Sequence, residues 1–282
     1  MMTAVTTHEA RPGARTARRR RAGLAGTLRS EVTKIISVRS TYWALVLLVL
    51  VSVAWSVASS TGTAAHWTHM SAQDRAGFDP TQSSVIGLVL LGQLVIVVLG
   101  ALTITAEYST QAIRTSLTVM PRRGLLYGAK AAVFAAVAVA VAFPASFLAW
   151  FVGQRLLAST HADATLGQPN VLRAILASAI SVVLAGLFSY GLGAVLRSTA
   201  ATITAVYGFF FLVPQLARAL PTAWYDDAIR WLPGGQFDGA ISTSGPPVSP
   251  HLFSTWGELA VLGGYTAVLL ICGAVLLRRR DA

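Results

Sequence analysis

The sequence predicts an all-α membrane protein with six transmembrane helices, and two observations carry that prediction. Hydrophobic residues make up 54% of the 282 positions and charged residues only 12%, with a mean hydropathy of +0.62. Soluble domains of this length rarely reach such values. Six charge-free runs are also each long enough to cross a hydrocarbon core of about 30 Å. These spans lie near residues 42–60, 85–105, 131–151, 174–196, 199–217 and 259–277.

The chain before span 1 divides into two parts. Residues 1–23 are rich in Arg, Ala and Thr and poor in apolar residues, which predicts a disordered basic tail. In residues 24–41, Leu24, Leu28 and Val32 recur at four-residue spacing among charged residues. This pattern predicts an interfacial amphipathic helix leading into span 1, although periodicity alone equally fits a simple membrane anchor. A full-length first span after a long polar leader does not suit a cleaved signal peptide.

The later spans contain two features that affect their course. Only Arg197 and Ser198 separate spans 4 and 5, and one helix through both would be roughly 65 Å long, twice what a bilayer accommodates. The sequence therefore predicts a tight helical hairpin. Pro144 and Pro214 lie inside spans 3 and 5, where neighbouring helices make a kink tolerable. The longest connection on the outer side is the loop 218–258.

Basic residues near the span ends predict the orientation. With both termini cytoplasmic, eleven of them lie inside: Arg29, Lys34, Arg39, Arg114, Arg122, Arg123, Lys130, Arg197, Arg278, Arg279 and Arg280. Five lie outside: Arg75, Arg155, Arg173, Arg218 and Arg230. This asymmetry favours cytoplasmic termini. Together with the basic tail it accounts for the formal net charge of +11, so we expect contact with membrane lipid and no nucleic acid.

Polar residues inside the spans are uncharged, whereas ion-coupled pumps usually retain ionisable residues at membrane depth. Gln93 in span 2 and Tyr207 in span 5 are our candidates for a substrate path. Gln93 stands out because an amide in an aliphatic helix needs a partner or a cavity. With the aromatic residues 209–211 they suit an amphipathic substrate, and they equally suit packing. Six glycines are predicted helix–helix contacts: Gly87, Gly186, Gly191, Gly193, Gly263 and Gly264.

The sequence does not predict an enzyme. It has no Gly-x-x-x-x-Gly-Lys phosphate loop, because neither lysine, Lys34 or Lys130, lies in such a context. No nucleophile elbow or zinc-protease motif is present. Cys272 is the one cysteine and is interpreted as a packing residue. His66 and His69 lack a third ligand, so no metal site is predicted.

The segment 107–123, reading EYSTQAIRTSLTVMPRR, is polar and basic and lies between two apolar runs. Ile113, Leu117 and Met120 form one stripe of a short amphipathic helix, which Pro121 ends. Such a helix can lie at a membrane surface, where a partner could push it. We call residues 107–123 the coupling segment.

Several of these features together resemble bacterial ABC transporter permeases of the type-2 exporter family. The similar parts are the six spans, residues 28–34 (LRSEVTK), residues 37–43 (SVRSTYW), the coupling segment and the C-terminal LRRRDA. The coupling segment is the most specific, because it is similar to that family's Glu-Tyr-x-x-Gly-Thr-Ile-Arg-Thr pattern ending in Pro-Arg-Arg. Gln111 and Ala112 stand where Gly and Thr are usual.

The resemblance implies a membrane-spanning permease subunit of an ATP-driven exporter in the bacterial plasma membrane, working as a dimer with an identical or homologous permease. It implies that a separate ATP-binding subunit holds ATP and magnesium, so no cofactor is expected in this chain. It also implies which residues couple to that subunit: Glu107, Arg114, Arg122 and Arg123 in the coupling segment, and Glu31 and Lys34 in the amphipathic helix. The alternative is a non-transport docking or sensor protein that recruits a cytoplasmic partner.

Overall fold

A computed structural model describes residues 39–109, 123–221, 224–225, 231–232, 241–243 and 255–280. Regular structure within these residues is helical throughout. Six helical rods are long and apolar enough to cross a membrane, which confirms the predicted all-α class and the six spans. The basic tail and nearly all of the predicted amphipathic helix lie outside the described residues, so both stay predictions, as does the cytoplasmic orientation.

The chain runs through the following helices. Span 1 is α1 (Arg39–His66), and a short helix α2 (Ala72–Gly77) follows it. Span 2 consists of α3 (Pro80–Gly87), a π-helical turn π1 (Leu88–Gly92) and α4 (Gln93–Ser109). Span 3 is α5 (Arg123–Leu157) and span 4 is α6 (Val171–Leu196). Span 5 consists of α7 (Thr199–Tyr207), π2 (Gly208–Leu212) and α8 (Val213–Ala217), and span 6 is α9 (Thr255–Arg280).

Five of the six spans extend beyond the apolar runs that predicted them, and span 2 shows why. The Asp79 carboxylate accepts hydrogen bonds from the backbone N–H groups of Thr81 and Gln82, at 3.0 and 2.9 Å. Pro80 occupies the first helical position, where its missing N–H is harmless. The cap and the proline start the helix five residues before the predicted beginning of span 2, because capping depends on polar residues that hydropathy does not score.

The predicted hairpin between spans 4 and 5 is present. Helix α6 ends at Leu196, and Arg197 adopts a left-handed conformation with φ of 56°. Its N–H donates to the Gly193 carbonyl at 2.9 Å, which closes the helix end. The Ser198 hydroxyl then accepts the N–H of Ala201 at the start of α7. Two residues therefore reverse the chain.

An even number of crossings places the start of α1 and the end of α9 on one side of the bundle. We call this the coupling side, because α4 ends and α5 begins there. Arg278, in the last turn of α9, lies across the start of α5, since a Cβ atom added to Gly124 would be 2.5 Å from its guanidinium. The other side, which carries the connections 67–79 and 158–170, is called the loop side.

Spans 4 and 2 form the centre of the bundle. In their apolar windows 67% and 61% of the residues are buried, against 22–33% in the other four spans. Span 1 packs beside spans 2 and 3, and span 6 packs beside span 4. Spans 3 and 5 each contact both central spans. Large apolar side chains on the outer faces are exposed, such as Leu50, Leu216 and Ile271, as expected of helices whose solvent is lipid.

Glycines set the closest helix crossings. A Cβ atom on Gly100 of α4 would lie 2.2 Å from the carbonyl oxygen of Gly186 in α6, so the two backbones touch there. Gly191 of α6 lies against the backbone of Leu269 in α9 in the same way, at 2.9 Å. Small residues permit such approach, which is how helices associate where lipid removes the hydrophobic driving force.

The predicted contact glycines divide into two groups. Four contact a neighbouring helix: Gly87, Gly186, Gly191 and Gly193. The prediction was wrong for Gly263 and Gly264, since no described atom would lie within 4 Å of a Cβ atom on either. A glycine in an apolar helix does not reveal which face meets protein and which meets lipid, because both faces have similar composition.

Candidate functional site

The predicted coupling residues lie mostly outside the part of the chain that the structure describes. This applies to Glu31, Lys34, Arg114 and Arg122. Glu107 belongs to the last turn of α4 and Arg123 is the first residue of α5, but only their places in the helices are described. The coupling site therefore stays a prediction, and the structure describes only the two helices that flank the coupling segment, α4 and α5.

An aromatic cluster packs these helices together on the coupling side. The Tyr190 hydroxyl of α6 donates to the Tyr127 carbonyl of α5 at 3.0 Å, and the two rings lie 5.0 Å apart between centroids. The Phe134 ring of α5 is stacked on the Tyr190 ring, with centroids 6.4 Å apart. Ile104 of α4 and Leu277 of α9 pack with the two tyrosines in the same buried cluster. Four spans thus share one buried cluster on the coupling side.

Helices α4 and α7 are hydrogen-bonded to each other at both ends of α7. The Thr105 and Thr199 hydroxyls lie 2.6 Å apart at the coupling side. The Tyr207 hydroxyl donates to the Leu94 carbonyl, also at 2.6 Å, near the middle of the bundle. Thr199 is the first residue of α7 and Tyr207 the last, so we treat the two helices as one unit, the α4/α7 pair.

Both π turns lie at the end of this pair that faces the loop side. The turn π1 ends one residue before Gln93, where α4 begins, and π2 begins one residue after Tyr207, where α7 ends. Because Tyr207 bonds to Leu94, the two turns sit at one level. A π turn interrupts the regular hydrogen-bond ladder and occurs often at functional sites. The α4/α7 pair is thus separated from α3 and α8 by two irregular turns.

The two turns have different local causes. Pro214 follows π2 and has no N–H to offer the Phe210 carbonyl, so a wider turn relieves both the missing bond and the clash of the ring. Pro144 behaves differently, since α5 continues through it. No proline lies near π1. Gly87, the residue before π1, lies against Trp55 of span 1, since a Cβ atom added to Gly87 would be 2.4 Å from the Trp55 side chain.

Gln93 and Tyr207, our two candidates for the substrate path, lie at adjacent positions in the structure. The Tyr207 hydroxyl contacts the residue that follows Gln93. Gln93 is 1% exposed, and its side-chain NH₂ has no acceptor among the described residues. A buried unpaired amide costs about 1–3 kcal/mol. The joint between the π turns therefore contains a spare donor group, the Gln93 NH₂ with its two N–H bonds, and contact with a substrate stays a prediction.

The aromatic residues of π2 serve packing. The Phe209 ring is parallel to Phe188 of α6, with centroids 5.4 Å apart, and Phe210 meets the same ring edge-on at 5.2 Å. Phe209 also contacts Tyr265 of α9. These contacts join π2 to spans 4 and 6, so of the two interpretations of the aromatic run, packing accounts for Phe209 and Phe210.

Several polar residues were not singled out by the sequence reasoning. Lys130 and Glu258 are buried, 5% and 1% exposed, because α5 and α9 extend past the predicted spans. On the loop side, Asp79 caps α3, and Gln154 of α5 donates to the Pro80 carbonyl at 3.0 Å. The Asp-Pro pair is a helix-start signal that could have been read from the sequence.

Reactive groups are not clustered in the described ranges. No group of three or more His, Cys, Asp or Glu side chains there could hold a metal ion. His66 bonds to the Gly62 carbonyl at 2.9 Å. Cys272 is exposed on α9, so its interpretation as a packing residue was wrong. A scan against models of known protein families finds no match, and a search of curated proteins finds none either.

Proposed function

We propose that this chain is the membrane-spanning permease subunit of an ATP-driven ABC exporter, coupled to a separate ATP-binding subunit. One observation carries the proposal. Helix α4 runs without interruption from Gln93 to Ser109, so a single rod of about 24 Å joins the coupling segment to the joint between the π turns. A push on the coupling segment reaches Gln93 through that rod.

The α4/α7 pair extends this movement to span 5. Hydrogen bonds at Thr199 and at Tyr207 tie α7 to α4, so both helices follow the coupling segment. The π turns absorb the change in direction, because an irregular turn gains and loses hydrogen bonds more readily than a regular helix. Movement at the joint gives the Gln93 amide new partners, and Gln93 and Tyr207 then line the substrate path.

Two partner subunits complete the proposed exporter. The ATP-binding subunit binds ATP and magnesium and contacts the coupling segment and the amphipathic helix. A second permease, identical or homologous, forms the other wall of the path, since six helices enclose little space. The excess of basic residues near the predicted inner ends supports cytoplasmic termini. The resemblance to type-2 exporter permeases supports the bacterial plasma membrane. Alternating access then follows from movement of the α4/α7 pair in each permease.

Co-purification tests this proposal. The tagged chain is purified in mild detergent and its associated proteins are identified by mass spectrometry, comparing the native chain with a Glu107→Ala, Arg114→Ala double variant. The matched control is Asp74→Ala with Arg75→Ala, an acid–base pair on the loop side. We expect an ATP-binding subunit with the native chain and the control, and its loss from the double variant.

Two other outcomes count against the proposal. Recovery of no ATP-binding subunit from any sample favours the non-transport docking or sensor protein. Equal recovery from the Glu107, Arg114 variant and the native chain places the coupling site elsewhere. Membrane insertion of all three proteins, measured by fractionation, shows that a loss of binding is not a loss of folding.

A further inference from the structure

Residues 241–243 of the loop between spans 5 and 6 contact three other spans. Ile241 is fully buried. The side chains packed with it come from spans 2, 3 and 4 and from the 158–170 connection: Val85, Val89, Trp150, Ala164, Val171 and Ile175. A loop residue with no exposed surface shows that the loop is seated on the bundle at this point.

Polar contacts from two spans surround the next two residues. Asp79 of span 2 accepts the N–H of Thr243 and, at 3.4 Å, the Ser242 hydroxyl. Arg173 of span 4 donates to the Ser242 carbonyl at 2.7 Å, and Asn170 donates to the Thr243 carbonyl at 3.4 Å. Hydrogen bonds to charged groups are about twice as strong as neutral ones. An acid and a base on different spans therefore bind the same two loop residues.

The two carboxylate oxygens of Asp79 accept hydrogen bonds from different parts of the chain. One oxygen accepts the N–H groups that cap α3, and the other accepts the two donors from the loop. We propose that residues 241–243 form a latch that fastens the 218–258 loop to the loop-side ends of spans 2 and 4, and that Asp79 holds the latch closed. This device does not depend on the proposed exporter function.

The latch divides span 2 into two parts. Helix α3 is bound on the loop side by the latch, and also by Gln154, which donates to the Pro80 carbonyl and the Ser84 hydroxyl at 3.0 Å each. The turn π1 separates α3 from α4. While the latch is closed, movement of span 2 is confined to the coupling side of π1. When it opens, Ile241 leaves its buried site between spans 2, 3 and 4.

A labelling experiment tests the latch. Ile241→Cys is introduced into a Cys272→Ala background, and its reaction rate with a hydrophilic maleimide is measured in detergent. Asp79→Asn is then added, because asparagine caps a helix about as well as aspartate but places an NH₂ group against the two loop donors. We expect labelling to accelerate about tenfold or more. Asp74→Asn in α2 is the matched control and should leave the rate unchanged.

A second variant separates the latch from the helix cap. Arg173→Gln removes the donor to Ser242 without touching α3, and it should also accelerate labelling. Equal rates in all proteins would overturn the latch. Failure of Asp79→Asn to accelerate labelling would overturn the role of Asp79, since asparagine keeps the cap of α3 and loses only the acceptor for the loop donors. No ATP-binding subunit or substrate enters the measurement, so its failure is distinct from failure of the exporter proposal.

Discussion

Helix α4 contacts α6 and α7 in two different ways. Against α6, the backbones touch at Gly100 and Gly186, and the Ser189 hydroxyl donates to the Val97 carbonyl at 2.7 Å. Against α7, two side-chain hydrogen bonds and the apolar cluster that contains Val97 and Val206 hold the helices together, and a π turn adjoins each helix. Close backbone packing has one arrangement, whereas a π turn can gain and lose hydrogen bonds. The difference indicates a fixed crossing about which α4 can turn, and a movable joint at the two π turns beside the α4/α7 pair.

The fixed crossing should be the more sensitive to added volume. Gly100→Ala places a methyl group 2.2 Å from the Gly186 carbonyl oxygen, so the helices must separate. We expect a loss of about 1–3 kcal/mol in the free energy of unfolding, measured by denaturation in mixed micelles. Gly263→Ala, whose Cβ atom meets open space, is the control and should be neutral or slightly stabilising. Equal losses in both variants would contradict the close crossing.

At the movable joint, Gln93→Leu should raise the free energy of unfolding, whereas Gly100→Ala lowers it. Leucine keeps a similar volume and removes the unpaired amide, so we expect stability to rise by about 1 kcal/mol. In the proposed complex with an ATP-binding subunit, the same variant should lower the proposed transport. Unfolding and transport are measured on the same preparation. A loss of stability would show that the Gln93 amide has a partner and is no spare donor.

Tyr207→Phe removes one hydrogen bond from the α4/α7 pair and keeps the ring. The expected loss is about 0.6 kcal/mol, the average for such bonds between membrane helices. Hydrogen exchange in α7 should rise, because its loop-side end is released. Tyr265→Phe is the matched control, since it also loses a hydroxyl bond to a backbone carbonyl, at Trp231. Faster hydrogen exchange of α7 in the Tyr265→Phe control would show that the effect is not specific to the Tyr207 hydrogen bond.

Thr199→Val should have the smallest single effect, because it removes only the 2.6 Å contact with Thr105 at the coupling-side end of α7. Combined with Tyr207→Phe it frees both ends of the helix. We therefore expect the double variant to lose more stability than the sum of the singles, by about 0.5 kcal/mol. Strict additivity, measured in a double-mutant cycle, would mean that α7 is not held as a unit.

The sequence predicted the spans well because lipid imposes a composition on whole helices. Hydropathy located all six, and the short distance between spans 4 and 5 required the turn at Arg197. The start of span 2 at Pro80 was missed, since a cap depends on one polar residue and a proline and contributes little to hydropathy. The predicted bounds of the spans were set by apolar content, whereas the observed ends of the helices are set by backbone and capping hydrogen bonds.

The candidate site was less predictable. Gln93 and Tyr207 could be selected by polarity, but their proximity arises from a contact between residues 113 positions apart. The turn π1 lies in an aliphatic stretch, Leu88–Gly92, that carries no local signal for irregular structure. Gly263 was assigned to a contact because packed and lipid-facing glycines look alike in sequence. Which residues of different spans meet inside the bundle depends on side-chain contacts between distant positions, and the periodicity of the sequence does not reveal those contacts.

Hydrogen exchange across spans 2 and 5 tests the movable joint most directly. Mass spectrometry of the detergent-solubilised chain should show faster exchange in π1 and π2 than in α4 and α7. Tyr207→Phe should accelerate exchange in both turns together, although they lie in different spans. Uniform exchange along each span, or acceleration of only one turn, would contradict an α4/α7 pair that moves about two hinges.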